Sequence, residues 1–154
     1  MTSKVTVKTK RIAYPRKVVI RAGILEPGES HEGGMTVGEL AETHEFGEGR
    51  IPPRAPIRVF ADTKGPEIST LATKLFQQAA QSDHGMSAFQ RAAGLTAVKA
   101  SAEIKNTITE GLQPPISPVT EAIKERKGYS PPYTPLIETG VLKNSYDADA
   151  EVIP

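Results

Sequence analysis

Apolar residues recur along this chain in two rhythms, and the switch between them divides it into elements. In KVVIRAGIL, residues 17–25, Val18, Ile20, Ala22 and Ile24 fall on one side and Val19, Arg21, Gly23 and Leu25 on the other. That two-residue period, with β-branched residues at its start, predicts a strand. Val5 and Val7 alternate with Lys4, Thr6 and Lys8 in the same way, which predicts a short edge strand within an arm of residues 1–15. Further along the spacing becomes three and four. Thr36-Val37-Gly38-Glu39 matches a capping box and predicts a short helix to about Glu45, with Val37, Leu40 and His44 on one face. Pro66 suits the first turn of a helix to about Gln81 carrying Ile68, Leu71, Leu75 and Ala79 as its stripe. After Ser82-Asp83-His84-Gly85 comes a longer helix of about 25 residues, roughly 37 Å at the usual rise per residue. It aligns Phe89, Ala93, Ala97, Ala100, Ile104 and Ile108 on one face.

Proline and glycine punctuate the rest. Gly111 and Pro114-Pro115 end the long helix, and Ser117-Pro118 is an N-cap followed by proline at the first helical position, predicting a helix to about Arg126. Segments 26–35, 47–57 and 128–135 read as extended Pro/Gly-rich loops. Thr139-Gly140-Val141-Leu142 opens a short turn or helix, and the terminal DADAEVI supplies a last strand. Strands at both ends with helices between them predict one α+β domain over residues 1–154. It is a small, mainly antiparallel sheet packed against one long α-helix, with shorter helices and long loops.

Composition narrows the chemistry. Aromatic residues make up 5% of the chain and tryptophan is absent, so the core must be mostly aliphatic. With no cysteine, disulfides and thiolate chemistry are excluded. No apolar run approaches the roughly 20 residues that span a bilayer, and MTSKVTVKTKR is not followed by a signal-peptide block, so a soluble, unprocessed protein without a membrane partner is expected. A net charge of +1 argues against a dedicated duplex-DNA binder.

That small net charge conceals segregation. Residues 1–21 carry Lys4, Lys8, Lys10, Arg11, Arg16, Lys17 and Arg21 and no acidic residue. Residues 22–49 carry Glu26, Glu29, Glu32, Glu39, Glu42, Glu45 and Glu48 and no lysine or arginine. Three readings fit: two solvated faces of one subunit, a basic arm that touches DNA or another protein, or complementary patches of a head-to-tail ring contact using Arg16, Lys17 and Arg21.

Candidate chemistry is sparse. The imidazoles are His31, His44 and His84, and His44-Glu45 lacks the second histidine of a zinc-protease helix. There is no phosphate-binding Gly-Lys-Ser/Thr loop and no Gly-x-Ser-x-Gly elbow. No acidic residue of the 26–48 block lies in an apolar context that would tune it for acid–base work. The expectation is a protein without cofactor, metal or catalytic residues.

Two segments carry a resemblance. THEFGEGRIPPRAPIRVF, residues 43–60, resembles the His-Glu-Phe-Gly and Ile-Pro-Pro-Arg-Pro-Phe pattern of tailed-bacteriophage virion-morphogenesis proteins. PPISPVTEAIKERKG followed by TPLIETGVLKNS resembles their Pro-Leu-Ser-Pro-x-Thr, Lys-Gly and Leu-Ile-Asp-Thr-Gly-x-Leu-x-x-Ser pattern. That family includes neck and tail-completion proteins related to lambda minor tail protein Z, and the likeness covers roughly residues 16–150. Ala55 interrupts the usual Arg-Pro-Phe, and Glu138 stands where Asp is usual.

The resemblance implies a structural subunit of a phage neck or tail-completion ring, joining the portal side of the head to the tail and lining the DNA passage. The alternative is a transient tail-assembly or tail-termination factor absent from the finished virion. Implied partners are further copies of the chain, as a hexamer or a dodecamer, a portal-side adaptor, tail-tube or tail-terminator proteins, and DNA passing without sequence-specific contact. Assembly in the host bacterial cytoplasm and residence in the virion follow from the same likeness. Matched onto this chain, His44, Glu45, Phe46, Gly47, Arg50, Pro52, Pro53 and Arg54 become subunit-interface candidates. Ser117, Pro118, Thr120, Lys127, Gly128, Leu136, Ile137, Thr139, Gly140 and Leu142 form a structural C-terminal motif. Glu39 and Glu42 are candidates for an acidic lumen wall, because a basic one would retain phosphate.

Overall fold

The computed structural model describes residues 13–28, 34–129 and 140–154. The edge strand expected around Val5 and Val7 lies outside them, as do the loop residues 29–33 with His31 and most of the 128–135 loop. Leu136, Ile137 and Thr139 of the C-terminal motif lie outside them too.

Strand β1 (Lys17–Ile24) pairs antiparallel with β2 (Tyr146–Ile153), in a register running from Lys17 opposite Ile153 to Ile24 opposite Tyr146. Directly opposed residues share a face. One face therefore gathers Val18, Ile20, Ala22 and Ile24 with Tyr146, Ala148, Ala150 and Val152, while the other sets Arg21 against Asp149. On that polar face the Arg21 guanidinium donates from Nε to Asp149 Oδ1 at 3.0 Å and from Nη2 to Oδ2 at 2.9 Å, with Glu151 at 3.6 Å. The hydrogen bond and charge of Asp149 hold the arginine pKa above its ordinary value.

Between the strands run α1 (Val37–Phe46), α2 (Pro56–Gln81), α3 (Met86–Glu110), α4 (Pro118–Arg126) and α5 (Val141–Ser145). The antiparallel sheet, the long helix α3 and the proline-rich connections give the α+β architecture. The anticipated face of α3 is buried from Phe89 to Ile108, and Ala92, Thr96, Ser101, Glu103 and Thr107 are buried beside it. That wider stripe follows from α3 packing against α2 as well as the sheet; its alanines let backbones approach, and fully burying Ile104 or Ile108 contributes about 2–3 kcal/mol each. Buried hydroxyls find partners within the helix: Thr96 donates to the Ala92 carbonyl and Thr107 to that of Glu103.

The core has two ends. Val37, Ile104, Ile108, Leu112, Leu142 and Tyr146 form one cluster, supported by Ile24, Leu40, Ile57 and Phe60. At the other, Ala79, Phe89 and Ala92 pack with Leu75, Phe76 and Val152, and the Phe76 and Phe89 rings stack at 6.2 Å.

One boundary departs from the sequence reading. Pro66 does not open α2 but sits inside a 26-residue helix whose first residue is Pro56, so the 47–57 loop ends at Ala55. Both prolines fit a helix start locally. The choice is made by Ile57, Val59 and Phe60 packing at the Tyr146 end of the core, by the burial of Pro56 and by an external cap on the new terminus. This burial outweighs the backbone hydrogen bond that Pro66 cannot donate.

Candidate assembly interface

Residues 43–58 form a compact clasp rather than a loose loop. Helix α1 starts at the expected capping box: Thr36 accepts from the Glu39 N–H, and Glu39 Oε2 accepts from the Thr36 N–H at 2.8 Å. It stops at Gly47, which takes φ +80° and donates its N–H to the Thr43 carbonyl. A Cβ there would also lie 2.8 Å from Pro53 Cδ, so Gly47 is fixed twice, by backbone sign and by the proline folded over it. Glu48 and Ile51 then exchange backbone hydrogen bonds of 2.8 and 3.0 Å, placing Gly49 and Arg50 at the tip of a tight turn. The Thr43 hydroxyl donates to Glu48 at 2.9 Å.

The chain returns to α1 through the His44 carbonyl, which accepts from the Arg54 and Ala55 N–H groups at 2.8 and 3.0 Å. Ala55 adopts φ +44° and offers no side-chain cap to α2. Glu45 substitutes for one, its carboxylate accepting from the Ile57 N–H at 3.0 Å and the Arg58 N–H at 3.1 Å. The same negative charge, after burial itself, helps hold the Tyr146 phenol well above its ordinary pKa.

Arg54 points inward and is buried. Its guanidinium donates from Nε to the Pro114 carbonyl at 3.0 Å and reaches the Pro115 carbonyl at 3.5 Å, bracing the connection between α3 and α4. His44 is partly buried nearby, and burial first, then the charges of Arg54 and Lys124, push its imidazole down to about 4. It is neutral at physiological pH. Its buried Nδ1 has no hydrogen-bond partner among the described residues.

The expected interface residues therefore separate. His44, Glu45, Gly47 and Arg54 serve contacts within the subunit, Pro52 is half-buried, and Phe46, Arg50 and Pro53 face solvent, Phe46 with 65% of its surface exposed. Arg50, Arg54 and Arg58 recur every four residues, yet they do not share one surface: Arg54 is internal and Arg58 belongs to α2. Glu39 and Glu42 open on one cleft with Phe46, of about 500 Å³, lined also by Gly34, Met35, Thr43, Gly47 and Glu48. Arg16 and Lys17 are exposed at the start of the sheet, whereas Arg21 is engaged by Asp149 and Glu151.

In the C-terminal motif, the Ser117 hydroxyl accepts from the Thr120 N–H at 3.2 Å and Pro118 opens α4. Lys127 and Gly128 close it, Gly140 begins α5 at φ +80°, and Leu142 enters the core beside Tyr146. Among the described residues no group of histidines and carboxylates is arranged to hold a metal, and no helix is long and apolar enough to cross a membrane. No family model, curated protein or solved structure matches the chain. What the arrangement offers is a rigid, partly apolar projection on a braced base. Sequence reasoning found its residues as a motif but missed the inward role of Glu45 and Arg54; unusual lack of a capping side chain at Ala55 was the available signal for Glu45.

Proposed function

We propose that this chain is a structural subunit of the neck or tail-completion ring of a tailed bacteriophage, assembling as a hexamer or dodecamer around the DNA passage and carrying out no chemistry. The proposal starts from the two motif-bearing segments. The observation that carries it further is their meeting in space: Arg54 of the first motif holds the carbonyls of Pro114 and Pro115 at the head of the second, across 60 residues of chain. Residues that serve an assembly surface need a stiff support, because a preorganised surface loses little entropy when a partner docks. The Glu48–Ile51 turn, the Gly47–Pro53 contact and the Arg54 brace provide that support beneath an exposed phenylalanine.

Protein composition of purified virions tests the reading. A ring component is recovered at a fixed number of copies per particle, and electron microscopy of the neck places it between portal and tail. Particles that require the chain for tail joining yet lack it when finished would instead identify a transient assembly factor.

A further inference from the structure

Tyr14 fixes the point from which the basic arm departs. Its hydroxyl donates to the Ala80 carbonyl at 3.1 Å, and its ring meets Phe89 edge-on at 5.8 Å between centroids. Ala80 lies at the last turn of α2, whereas the clasp seizes the first turn through Glu45. At the rise of an α-helix those ends are about 35 Å apart. Tyr14, at the root of the arm, and the Phe46 clasp thus lie at opposite ends of α2.

The clasp end carries an unusual surface. Phe46 stands between the 500 Å³ cleft and a second hollow of about 420 Å³ lined by Glu48, Gly49, Arg50, Ile51, Pro52 and Pro53. Phe46, Ile51 and Met35 are 65%, 42% and 38% exposed, a grouped apolar surface of the kind that marks an interaction site. Among the described residues, the carboxylates of Glu39, Glu42 and Glu48 rim the cleft.

The segment KVTVKTKR, residues 4–11, matches that surface in kind. Extended, it sets Val5 and Val7 on one side and Lys4, Lys8 and Lys10 on the other, with Arg11 adding a fourth positive charge and no acidic residue present. From Tyr14 back to Val5, nine residues, the chain stretches about 32 Å at most. To reach its own cleft the arm would have to run taut along the whole of α2; a copy placed head-to-tail presents a cleft where the arm begins. We propose that residues 4–11 of one copy dock in the Phe46 cleft of the next, the valines against Phe46 and Met35 and the basic side chains against the rim. This rests on the ring reading and names its contact. It directs Glu39 and Glu42 toward a neighbouring subunit instead of the DNA passage. A heterologous contact of this kind closes into a ring when the rotation between copies permits.

The chain has no cysteine, so cross-linking tests the contact directly. Full-length Val7→Cys and Met35→Cys variants are mixed and treated with a short bis-maleimide, and the assembly state of the unmodified chain is measured by native mass spectrometry. The expected product is a covalent dimer joining Val7→Cys of one copy to Met35→Cys of another, verified by peptide mapping. Adding Glu42→Lys and Glu48→Lys should cut its yield at least several-fold, with recovery when Lys8→Glu and Lys10→Glu are placed on the arm. An assembled ring that yields no such cross-link overturns this contact and leaves the ring reading standing. A Val7→Cys/Met35→Cys double variant that links only internally overturns it equally, since the arm would then serve its own cleft. A chain that is monomeric at all concentrations and in particles removes both.

Discussion

Arg54 Nε lies 3.0 Å from the Pro114 carbonyl oxygen, so a side chain just before α2 ties down the connection that follows α3. Charge-assisted hydrogen bonds from a buried donor contribute more than neutral ones, and their loss leaves acceptors unpaired. Arg54→Met is expected to destabilise the fold by about 2–3 kcal/mol in urea titration. Arg54→Lys should recover only part of this, because an ammonium lacks the planar fork.

Glu45 caps a helix that its own N-cap residue leaves bare. Glu45→Ala should cost about 1–2 kcal/mol, in line with loss of a cap and of a negative charge at a helix N-terminus. Glu45→Gln should cost less, since one acceptor oxygen remains. Amide hydrogen exchange at Ile57 and Arg58 would report the site: both should exchange faster in the alanine variant than residues in the middle of α2.

His44 gives acid sensitivity with a definite sign. Its folded pKa, about 4, lies below the ordinary value of 6.5, so the unfolded chain binds the proton more readily. The neutral ring favours the folded state above pH 6.5, and this contribution is lost as pH falls toward 4. Partial exposure moderates the effect to about 1–2 kcal/mol. Between pH 6.5 and 4.5 the urea midpoint should fall in the native chain and fall less in His44→Gln; identical slopes would dismiss the assignment.

Arg16, Lys17 and Arg21 belong to one basic block in the sequence but are differently occupied. Arg21→Glu should lower the melting temperature, since it sets like charges against Asp149 and Glu151. The Arg16→Glu/Lys17→Glu pair should leave melting unchanged and weaken oligomerisation, read by light scattering. Undisturbed assembly in the pair would show that these two charges face only solvent.

Where the signal was local, the sequence was legible. Period and capping chemistry located β1, α1, α3, α4 and β2, because a Thr36–Glu39 box or a Ser117–Pro118 start depends on residues within one turn. The start of α2 was not, because two prolines compete for it and only contact with Tyr146 and its neighbours decides. The assembly candidates were legible as a motif, yet their direction was hidden. His44, Glu45 and Arg54 turn inward and Phe46 outward according to how Gly47 and Pro53 fold the chain back.

By itself the sequence determined the rhythm of strands and helices, the aliphatic core and the separation of basic from acidic charge, since each resides in residues close together along the chain. The tertiary structure alone decided which carboxylate caps a helix and which arginine is buried. It also decided that Tyr14 and the exposed phenylalanine stand at opposite ends of α2. Those outcomes depend on distances between residues far apart in the chain, such as Arg54 and Pro114 or Tyr14 and Ala80, and such distances exist only once α2 and α3 have packed against the sheet.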